Sequence, residues 1–298
     1  AEIVLEGYID PSEMRLEGPF GDHTGYYSQD GDYPIFHLTA ITHRKNPIYL
    51  TTIVGKPPQE DFYLGRATER IFLPLLRTQL PEIIDMDMPV EGVFHNCVIV
   101  SIDKRFPMQS RRLMSALWGL GQMSFVKIII AVDATVDVHN YEEIIRLLLN
   151  KVNFEYDLFF SEGVLDVLNH ASDHMLYGSK LGIDLTEKLE GEPGFGESIK
   201  AEVNNSTIPS IEEVKTYFPE LADCMFFNID AQPTVLIVAL NKTRANQTKE
   251  FIETFFSESK FLWANILIVL EGHVDLENNS MIMWKVFNNL DPKRDFHF

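Results

Sequence analysis

Two carboxylates lie close together in a loop whose other residues favour tight turns. Glu17 and Asp22 are five positions apart, and residues 17–25 also contain three glycines and one proline. Such residues bend the backbone enough for both carboxylates to face one pocket. Two acids in a partly desolvated pocket repel each other, so one is held protonated while the other stays charged. The loop is therefore predicted to supply a proton donor and a charged group that supports it.

The alternative for this loop is a polar surface turn in which Asp22 caps backbone N–H groups. Aromatic neighbours argue against that alternative, because Phe20, Tyr26 and Tyr27 offer apolar walls that a solvated turn does not need. We call residues 17–27 the acid loop.

The acid loop reads Glu-Gly-Pro-Phe-Gly-Asp-His-Thr-Gly-Tyr-Tyr and resembles the active-site segment of UbiD-type decarboxylases. The resemblance covers roughly the first 190 residues of the chain. Its further matching stretches are residues 2–7, 41–44, 55–61, 64–76 and 178–184.

The resemblance implies reversible, non-oxidative decarboxylation of an aromatic or α,β-unsaturated acid on prenylated FMN. It also implies a divalent metal, Mn or Mg, and a potassium ion at the flavin phosphate. By position, Asp22 matches the proton donor, Glu17 its partner carboxylate, and Lys180 a lysine that reaches the flavin phosphate. Without the resemblance, Lys180 would be interpreted as an ordinary exposed lysine.

The flavin- and metal-binding first half of such enzymes has no counterpart in this sequence. We therefore expect the chain to be a C-terminal portion that is inactive alone, with its metal ligands and its catalytic arginine on the missing N-terminal half. By resemblance, the amino-acid sequence of the acid loop favours a 3-polyprenyl-4-hydroxybenzoate as substrate, in quinone synthesis of the ubiquinone or menaquinone type. The alternative function is a non-catalytic assembly or oligomerisation module derived from such an enzyme.

The composition indicates a cytoplasmic protein that does not bind nucleic acid. The 298 residues carry a net charge of −19, whereas nucleic-acid binding requires a basic surface. No apolar run approaches the ~18 residues of a membrane span, although a polyprenylated substrate would imply peripheral membrane association. Cys97 and Cys224 are expected to be free buried thiols in a reducing compartment. We also expect a homo-oligomer, as the resemblance implies.

The predicted fold is α/β, or α+β overall, and begins with the end of a split β-barrel that binds flavin (residues 1–56). A connecting helix follows in residues 57–81, with apolar residues at three- and four-residue steps from 60 to 80. Glu60 and Glu69 are placed on its solvated face. The predicted strands of the barrel segment are residues 2–7, 35–43 and 47–54.

Residues 82–190 alternate apolar strands with helices, which predicts a C-terminal α/β domain with a largely parallel sheet. The Asp133-to-Asp137 segment follows a strand end and is interpreted as a helix cap, with a metal site as the alternative. The predicted strands are residues 97–102, 127–132 and 157–160, and the predicted helices are residues 109–120 and 141–149.

A second copy of the α/β unit is predicted after a polar linker. The linker is residues 191–219, and a shift of 138 positions aligns residues 220–298 with the first unit without a gap. The copy lacks both an acid loop and a Gly-Ser-Lys turn, so it is interpreted as a degenerate unit for packing or oligomerisation. Deletion of residues 210–298 is accordingly expected to change assembly and to leave the chemistry intact.

Overall fold

A two-stranded antiparallel ribbon opens the chain in the computed structural model, which describes residues 1–197, 208–227, 235–261 and 263–298. Strands β1 (Ile3–Glu17) and β2 (Gly31–His43) pair with Leu5 opposite Ile41. The first two predicted strands, residues 2–7 and 35–43, are confirmed by these longer ones, except that β1 begins at Ile3. No closed barrel forms among the described residues, because the ribbon pairs with no other strand there.

The predicted strand at residues 47–54 is wrong, since this segment has no regular secondary structure. Its side chains are exposed, including Ile48, Leu50 and Ile53. A strand needs a paired backbone edge, and this segment pairs with no strand among the described residues. The amide of Ile48 donates to Glu2 Oε2 at 3.1 Å.

Helix α1 (Glu60–Gln79) confirms the predicted connecting helix. Two acidic residues occupy its first turn and Arg77 its last, as the helix dipole favours, and Pro81 follows its end. Its apolar stripe is not buried: Tyr63, Ile71 and Leu75 are exposed, and Leu76 packs into the core.

A five-stranded sheet forms the centre of the first unit, in the order β3-β4-β5-β7-β6. The three central strands are parallel, whereas both edge strands run antiparallel to their neighbours. The predicted strand–helix alternation is confirmed. The elements are β3 (Ile83–Asp87), β4 (Cys97–Ile102), α2 (Gln109–Trp118), β5 (Ile128–Asp133), α3 (Tyr141–Lys151), β6 (Leu158–Val164) and β7 (Tyr177–Asp184).

Side chains of β4 alternate between two cores, one on each face of the sheet. Val98 and Val100 pack in one core with Leu113 of α2, whereas Ile99 packs in the other core with Ile144 of α3. The period-2 alternation of a strand therefore places α2 and α3 on opposite faces. Cys97 and Cys224 are both buried free thiols, as expected.

The second unit is a three-stranded sheet in the order β10-β9-β8. Its first helix occupies the end of the predicted linker, whereas residues 198–207 of that linker lie outside the described residues. The elements are α4 (Ile211–Tyr217), β8 (Leu221–Phe227), β9 (Val235–Leu240), α5 (Gln247–Ser257), β10 (Ile266–Glu271), α6 (Asn279–Asn288) and α7 (Pro292–Asp295).

The predicted internal repeat is confirmed. Strands β4 and β5 coincide with β9 and β10 after the shift of 138 positions, and the antiparallel–parallel pairing is the same in both units. Local details recur as well, since Asn140 and Asn278 both cap the following helix with their side chains. The repeat also reaches α1 and α4, so it begins before the predicted boundary at residue 220.

The two units pack side chains into each other's cores at their junction. Leu149 of α3 lies in the core of the second unit, and Phe287 of α6 lies in the core of the first. These positions are equivalent under the repeat shift, so the units pack through matching helix faces. None of the helices in the described part of the chain has the length and hydropathy of a membrane-spanning segment.

Candidate active site

The acid loop leaves the end of β1 and folds into a tight turn at the end of the ribbon. The amide of Asp22 donates to Tyr26 O at 3.1 Å, and the amide of Gly25 donates to Asp22 O at 3.2 Å. Gly25 has a φ of +88°, a region that L side chains rarely adopt, so glycine suits this turn. The turn carries three successive buried polar residues, Asp22, His23 and Thr24.

The structure buries Asp22 and leaves Glu17 exposed. Asp22 is 7% exposed, its Oδ1 accepts from the amide of His23 at 2.7 Å, and its buried Oδ2 has no hydrogen-bond partner among the described residues. Glu17 is the last residue of β1, opposite Gly31, and no ion pair or hydrogen bond joins it to Asp22 in the described part of the chain. The pairing of the two carboxylates across one pocket stays a prediction.

His23 lies between two carboxylates and a second histidine. Its Nδ1 is 3.0 Å from Asp22 Oδ1 and 2.9 Å from Asp61 Oδ2, and its Nε2 is 3.3 Å from His95 Nε2. Burial, with His23 and Lys127 nearby, holds the pKa of His95 well below its usual range, so His95 is neutral at pH 7.

The two histidines contact each other through their Nε2 atoms. A neutral imidazole has one N–H, so one Nε2 donates and the other accepts. The Nδ1 atoms of both rings are buried and have no hydrogen-bond partner of suitable geometry among the described residues, although Nδ1 of His23 lies near both carboxylates. Asp22 therefore lies beside an imidazole that contacts residues from three separate segments.

A small cleft opens beside His23, with about 320 Å³ of space including its mouth. Val93 and Phe94 line it with φ values of 45° and 54°, a left-handed conformation that costs non-glycine residues roughly 1–2 kcal/mol each. Its polar lining includes His23, Gln59, Asp61 and Arg66. Imidazole, carboxylate and guanidinium groups thus line a cleft whose enclosed volume of about 20 Å³ has room for about one water molecule.

The predicted solvent exposure of Glu69 is wrong, and that of Glu60 is only partly right, since Glu60 is half-buried. Glu69 is 1% exposed, accepts from Arg70 Nε at 2.8 Å and accepts from the amide of Met88 at 2.6 Å. Burial raises the pKa of Glu69. The hydrogen bond from the Met88 amide and the positive charges of Arg70 and Arg66 oppose this rise. Helix position alone predicted exposure, whereas these partners make burial tolerable.

Glu69, Asp87 and His139 bring three ligand atoms within 4.8 Å of one another. A guanidinium already supplies positive charge there, because Arg66 Nη1 contacts Asp87 Oδ1 and lies 3.5 Å from Glu69 Oε1. Tyr141 donates to the other oxygen of Asp87 at 2.7 Å. The group is therefore an ion-pair network beside the cleft.

The loop after β5 is a capping turn, the alternative that the sequence favoured over a metal site. Asp137 Oδ1 accepts from the amide of His139 at 2.9 Å, and the side chain of Asn140 caps α3. Asp133 accepts from the amide of Glu187 at 2.9 Å, and burial raises its pKa.

Lys180 is buried in β7, so it is not the ordinary exposed lysine that its residue type alone suggested. Its Nζ donates to Ser124 O at 2.6 Å and to Val126 O at 2.9 Å, and lies 5.9 Å from the centre of the Trp118 ring. Burial lowers its pKa to about 8, so the ammonium is charged at pH 7. These partners belong to residues 118–126, and its contact with a flavin phosphate stays a prediction.

Sequence reasoning assigned no role to Asp61, His95 or Lys127. His23 and Asp61 belonged to the stretches that carried the resemblance, and their residue types were the available signal. Lys127 is fully buried, donates to Asn169 Oδ1 at 3.0 Å, and has its pKa lowered by burial to about 7. A lysine between apolar strand residues gave no sign of a buried polar network.

Two family models match the chain. The Rift-related domain of 3-octaprenyl-4-hydroxybenzoate carboxy-lyase (UbiD) matches residues 1–57, and its C-terminal domain (UbiD_C) matches residues 62–185 and 199–298. The chain belongs to the UbiD family. The match extends beyond the roughly 190 residues that the sequence motifs covered, so the second copy is part of the family domain.

Relatives of this UbiD chain are longer than it is. A protein of Archaeoglobus fulgidus is 51% identical over 193 residues, which are 64% of this chain and 40% of the relative. A protein of Helicobacter pylori J99 is 37% identical over 299 residues, covering 99% of this chain and 46% of the relative. The chain thus spans less than half the length of these relatives.

Solved UbiD-class structures share the fold. Vanillic acid decarboxylase of Sedimentibacter hydroxybenzoicus, in open form, has a TM-score of 0.61 at 27% identity, over 74% of this chain and 46% of that chain. HmfF of Pelotomaculum thermopropionicum in complex with FMN has a TM-score of 0.55 at 26% identity, over 73% and 46%. An evolved dimeric form of HmfF with prFMN has a TM-score of 0.50 at 27% identity, over 64% and 41%.

Proposed function

We propose that the complete polypeptide containing this chain is a non-oxidative decarboxylase of aromatic or α,β-unsaturated acids, and that Asp22 protonates the product carbon. One observation carries the proposal: Asp22 is a buried carboxylate whose Oδ2 has no hydrogen-bond partner in the described part of the chain, while its Oδ1 accepts from the amide of His23 and lies 3.0 Å from the ring Nδ1 of that residue. A buried oxygen without a partner costs about 1–3 kcal/mol, which a site that must move a proton can justify. The structural likeness to UbiD-class decarboxylases supports the same reaction class.

The residues of this chain fit prenylated FMN in part. The unpartnered Oδ2 of Asp22 suits an acid that faces a bound reacting group, whereas the two carbonyl bonds of Lys180 leave one ammonium proton for a phosphate. When bound, prenylated FMN supplies the electron sink that makes loss of carbon dioxide feasible. A divalent metal, Mn or Mg, and potassium are proposed with it, held by ligands outside this chain.

Each residue of the site then has a defined task. Asp22 holds and transfers the proton, Glu17 biases the charge at the open end of the acid loop, and His23 fixes one carboxylate oxygen. Burial of Asp22, His23 and Thr24 excludes water from the proposed donor, which strengthens its electrostatic coupling to the reacting carbon. Positioned acids of this kind contribute about 10²–10⁴-fold to rate.

For the substrate we propose a 3-polyprenyl-4-hydroxybenzoate, in quinone synthesis of the ubiquinone or menaquinone type. Support comes from the amino-acid sequence of the acid loop and from the description of the matching family, 3-octaprenyl-4-hydroxybenzoate carboxy-lyase. Such a substrate would bring the cytoplasmic enzyme to a membrane surface as a peripheral protein. A panel of prenylated and unprenylated hydroxybenzoates, vanillate and an unsaturated acid, assayed for carbon dioxide release, tests this choice.

The second candidate function is a non-catalytic assembly module. The exposed apolar stripe of α1, with Tyr63, Ile71 and Leu75, favours it, because exposed apolar stripes often mark protein contact surfaces. The same stripe suits docking of the N-terminal half that the resemblance implies, or a homo-oligomer contact. An assembly module would bind a partner through α1 and show no dependence on Asp22.

The deciding experiment compares acid-loop variants of the complete enzyme. Asp22→Asn is expected to bind flavin normally, as read from its absorbance, and to lose at least 100-fold in product formation. Asp30→Asn is the control, since Asp30 is an exposed acid shortly after the loop. Glu17→Gln should reduce turnover if the carboxylates cooperate, and should match Asp30→Asn if they do not. Normal turnover by the Asp22 variant would overturn the assignment of the donor.

A further inference from the structure

Helix α6 of the second unit contacts the acid loop directly. Trp284 Nε1 donates to His23 O at 2.9 Å, and a Cβ placed on Gly25 would come within 2.4 Å of the Trp284 ring. The amide of His23 binds Asp22 Oδ1 at 2.7 Å, so the backbone of His23 is held on both sides. One side is the carboxylate of the proposed donor and the other is the indole.

The same helix is fixed against the first unit by a buried amide. Asn288 donates through Nδ2 to Glu91 O at 2.7 Å and to Trp284 O at 2.8 Å, and its Oδ1 accepts from Asn96 at 2.7 Å. Asn288 has no exposed surface. Both the NH₂ group and the carbonyl oxygen of this side chain therefore have hydrogen-bond partners within the protein.

The first unit shows what these positions do without an acid loop to hold. Asn150 is the repeat equivalent of Asn288 and is exposed. Arg146 is the equivalent of Trp284, is 40% exposed and pairs with Glu142 at 2.7 Å. Only the second copy therefore places a large aromatic donor and a buried amide at these two positions.

Lysine side chains also lie near the Trp284 ring. Lys56 Nζ lies 5.4 Å from the ring centre and 3.1 Å from Met281 Sδ of the same helix. Lys56 precedes α1, which carries Asp61, the second carboxylate beside His23. The indole is thus enclosed by the acid loop, the segment before α1 and α6 itself.

We propose that Trp284 is a positioning residue for the acid loop, and that the second copy holds the proton donor Asp22 in place. The proposal rests on the proposed function for the meaning of Asp22, and on the contacts above for the restraint itself. Deletion of residues 210–298 would remove this restraint. We therefore expect that deletion to disturb the acid loop as well as assembly, contrary to what the sequence suggested.

Amide hydrogen exchange in the complete polypeptide tests the restraint without relying on activity. Trp284→Phe keeps an aromatic ring and removes the N–H donor. Exchange of the Asp22 and Gly25 amides should then be about fivefold faster, which corresponds to the free energy of one such hydrogen bond. Trp263→Phe is the matched control, because Trp263 is also buried in the second unit and its Nε1 has no partner among the described residues. It should leave those two amides unchanged.

A second variant and a kinetic readout complete the test. Lys56→Met removes one of the two cations near the indole, since Lys285 Nζ also lies 5.5 Å from the ring centre, and should speed exchange of the same amides to a smaller extent. In the active enzyme, Trp284→Phe should lower kcat with KM unchanged, because substrate binding does not use the indole. Equal exchange in the Trp284 and Trp263 variants would overturn the proposal. Faster exchange in an enzyme without decarboxylase activity would instead overturn the proposed function alone.

Discussion

The contact between Gly25 and Trp284 predicts a large cost for one added methyl group. In Gly25→Ala, the new Cβ would lie 2.4 Å from Trp284 Cη2 and 2.8 Å from Cζ2, closer than real Cβ contacts occur. The indole cannot withdraw freely, because its Nε1 is bonded to His23 O and Lys56 lies over its ring. The acid loop or α6 must therefore shift.

Two contributions set the size of this cost. An alanine at a φ of +88° is strained by roughly 1–2 kcal/mol, and reduced freedom of the unfolded chain returns about half of that. The steric overlap adds about 1–3 kcal/mol, the usual range for overpacking a core. The free energy of unfolding should fall by about 2–4 kcal/mol in total.

Gly196→Ala separates the two contributions. Gly196 has a similar φ of +77°, and a Cβ there would meet no atom within 4 Å. Denaturant unfolding should show a loss of about 1 kcal/mol for this variant, so the difference between the two alanine variants measures the overlap. Adding Trp284→Ala to each variant should remove that difference. Equal destabilisation by both alanines, or a difference that survives Trp284→Ala, would refute the placement of the indole against the loop.

Two further predictions concern buried polar groups. Folding lowers the pKa of Lys127 from 10.5 to about 7, so the unfolded chain binds more protons between these values, and stability should rise with pH by about 1.4 kcal/mol per unit. Lys127→Met should lose this slope in denaturant titrations at pH 7–8, below the pKa of about 8 that burial gives Lys180, whereas Lys249→Met, at an exposed site, should keep it. Asn288→Ala should cost about 2–3 kcal/mol and Asn150→Ala less than about 0.5, measured by thermal unfolding. Similar losses for both asparagines would contradict the different roles of the two copies.

Local patterns were sufficient to predict most of the α/β fold. The apolar run at β4 and the helical spacing of α1 identified both elements, because burial dictates residue type at each step. The repeat was visible for the same reason, since each copy needs the same pattern to build the same core. The strand predicted for residues 47–54 is wrong because a strand also depends on a partner edge, which the local sequence does not reveal.

The candidate site was predictable only for the residues of the acid loop. Asp22 stood out because glycine, proline and aromatic residues surround it in the sequence. Its neighbours come from far along the chain: His95 lies 72 positions beyond His23, and Trp284 lies 261 positions beyond it. No periodicity or spacing rule connects such positions, so only the packed structure brings them together.

The internal repeat explains how the second copy can acquire a new task at little cost to the fold. Leu149 and Phe287 show that the two copies already exchange equivalent side chains at their junction, so α3 and α6 are fixed against each other by apolar packing. Once α6 is anchored, its other face is free to change. A tryptophan at the position equivalent to Arg146 then reaches His23, and the loop gains a donor without any change in strand order. The second copy, which has no acid loop of its own, thus contacts the acid loop that precedes the first copy.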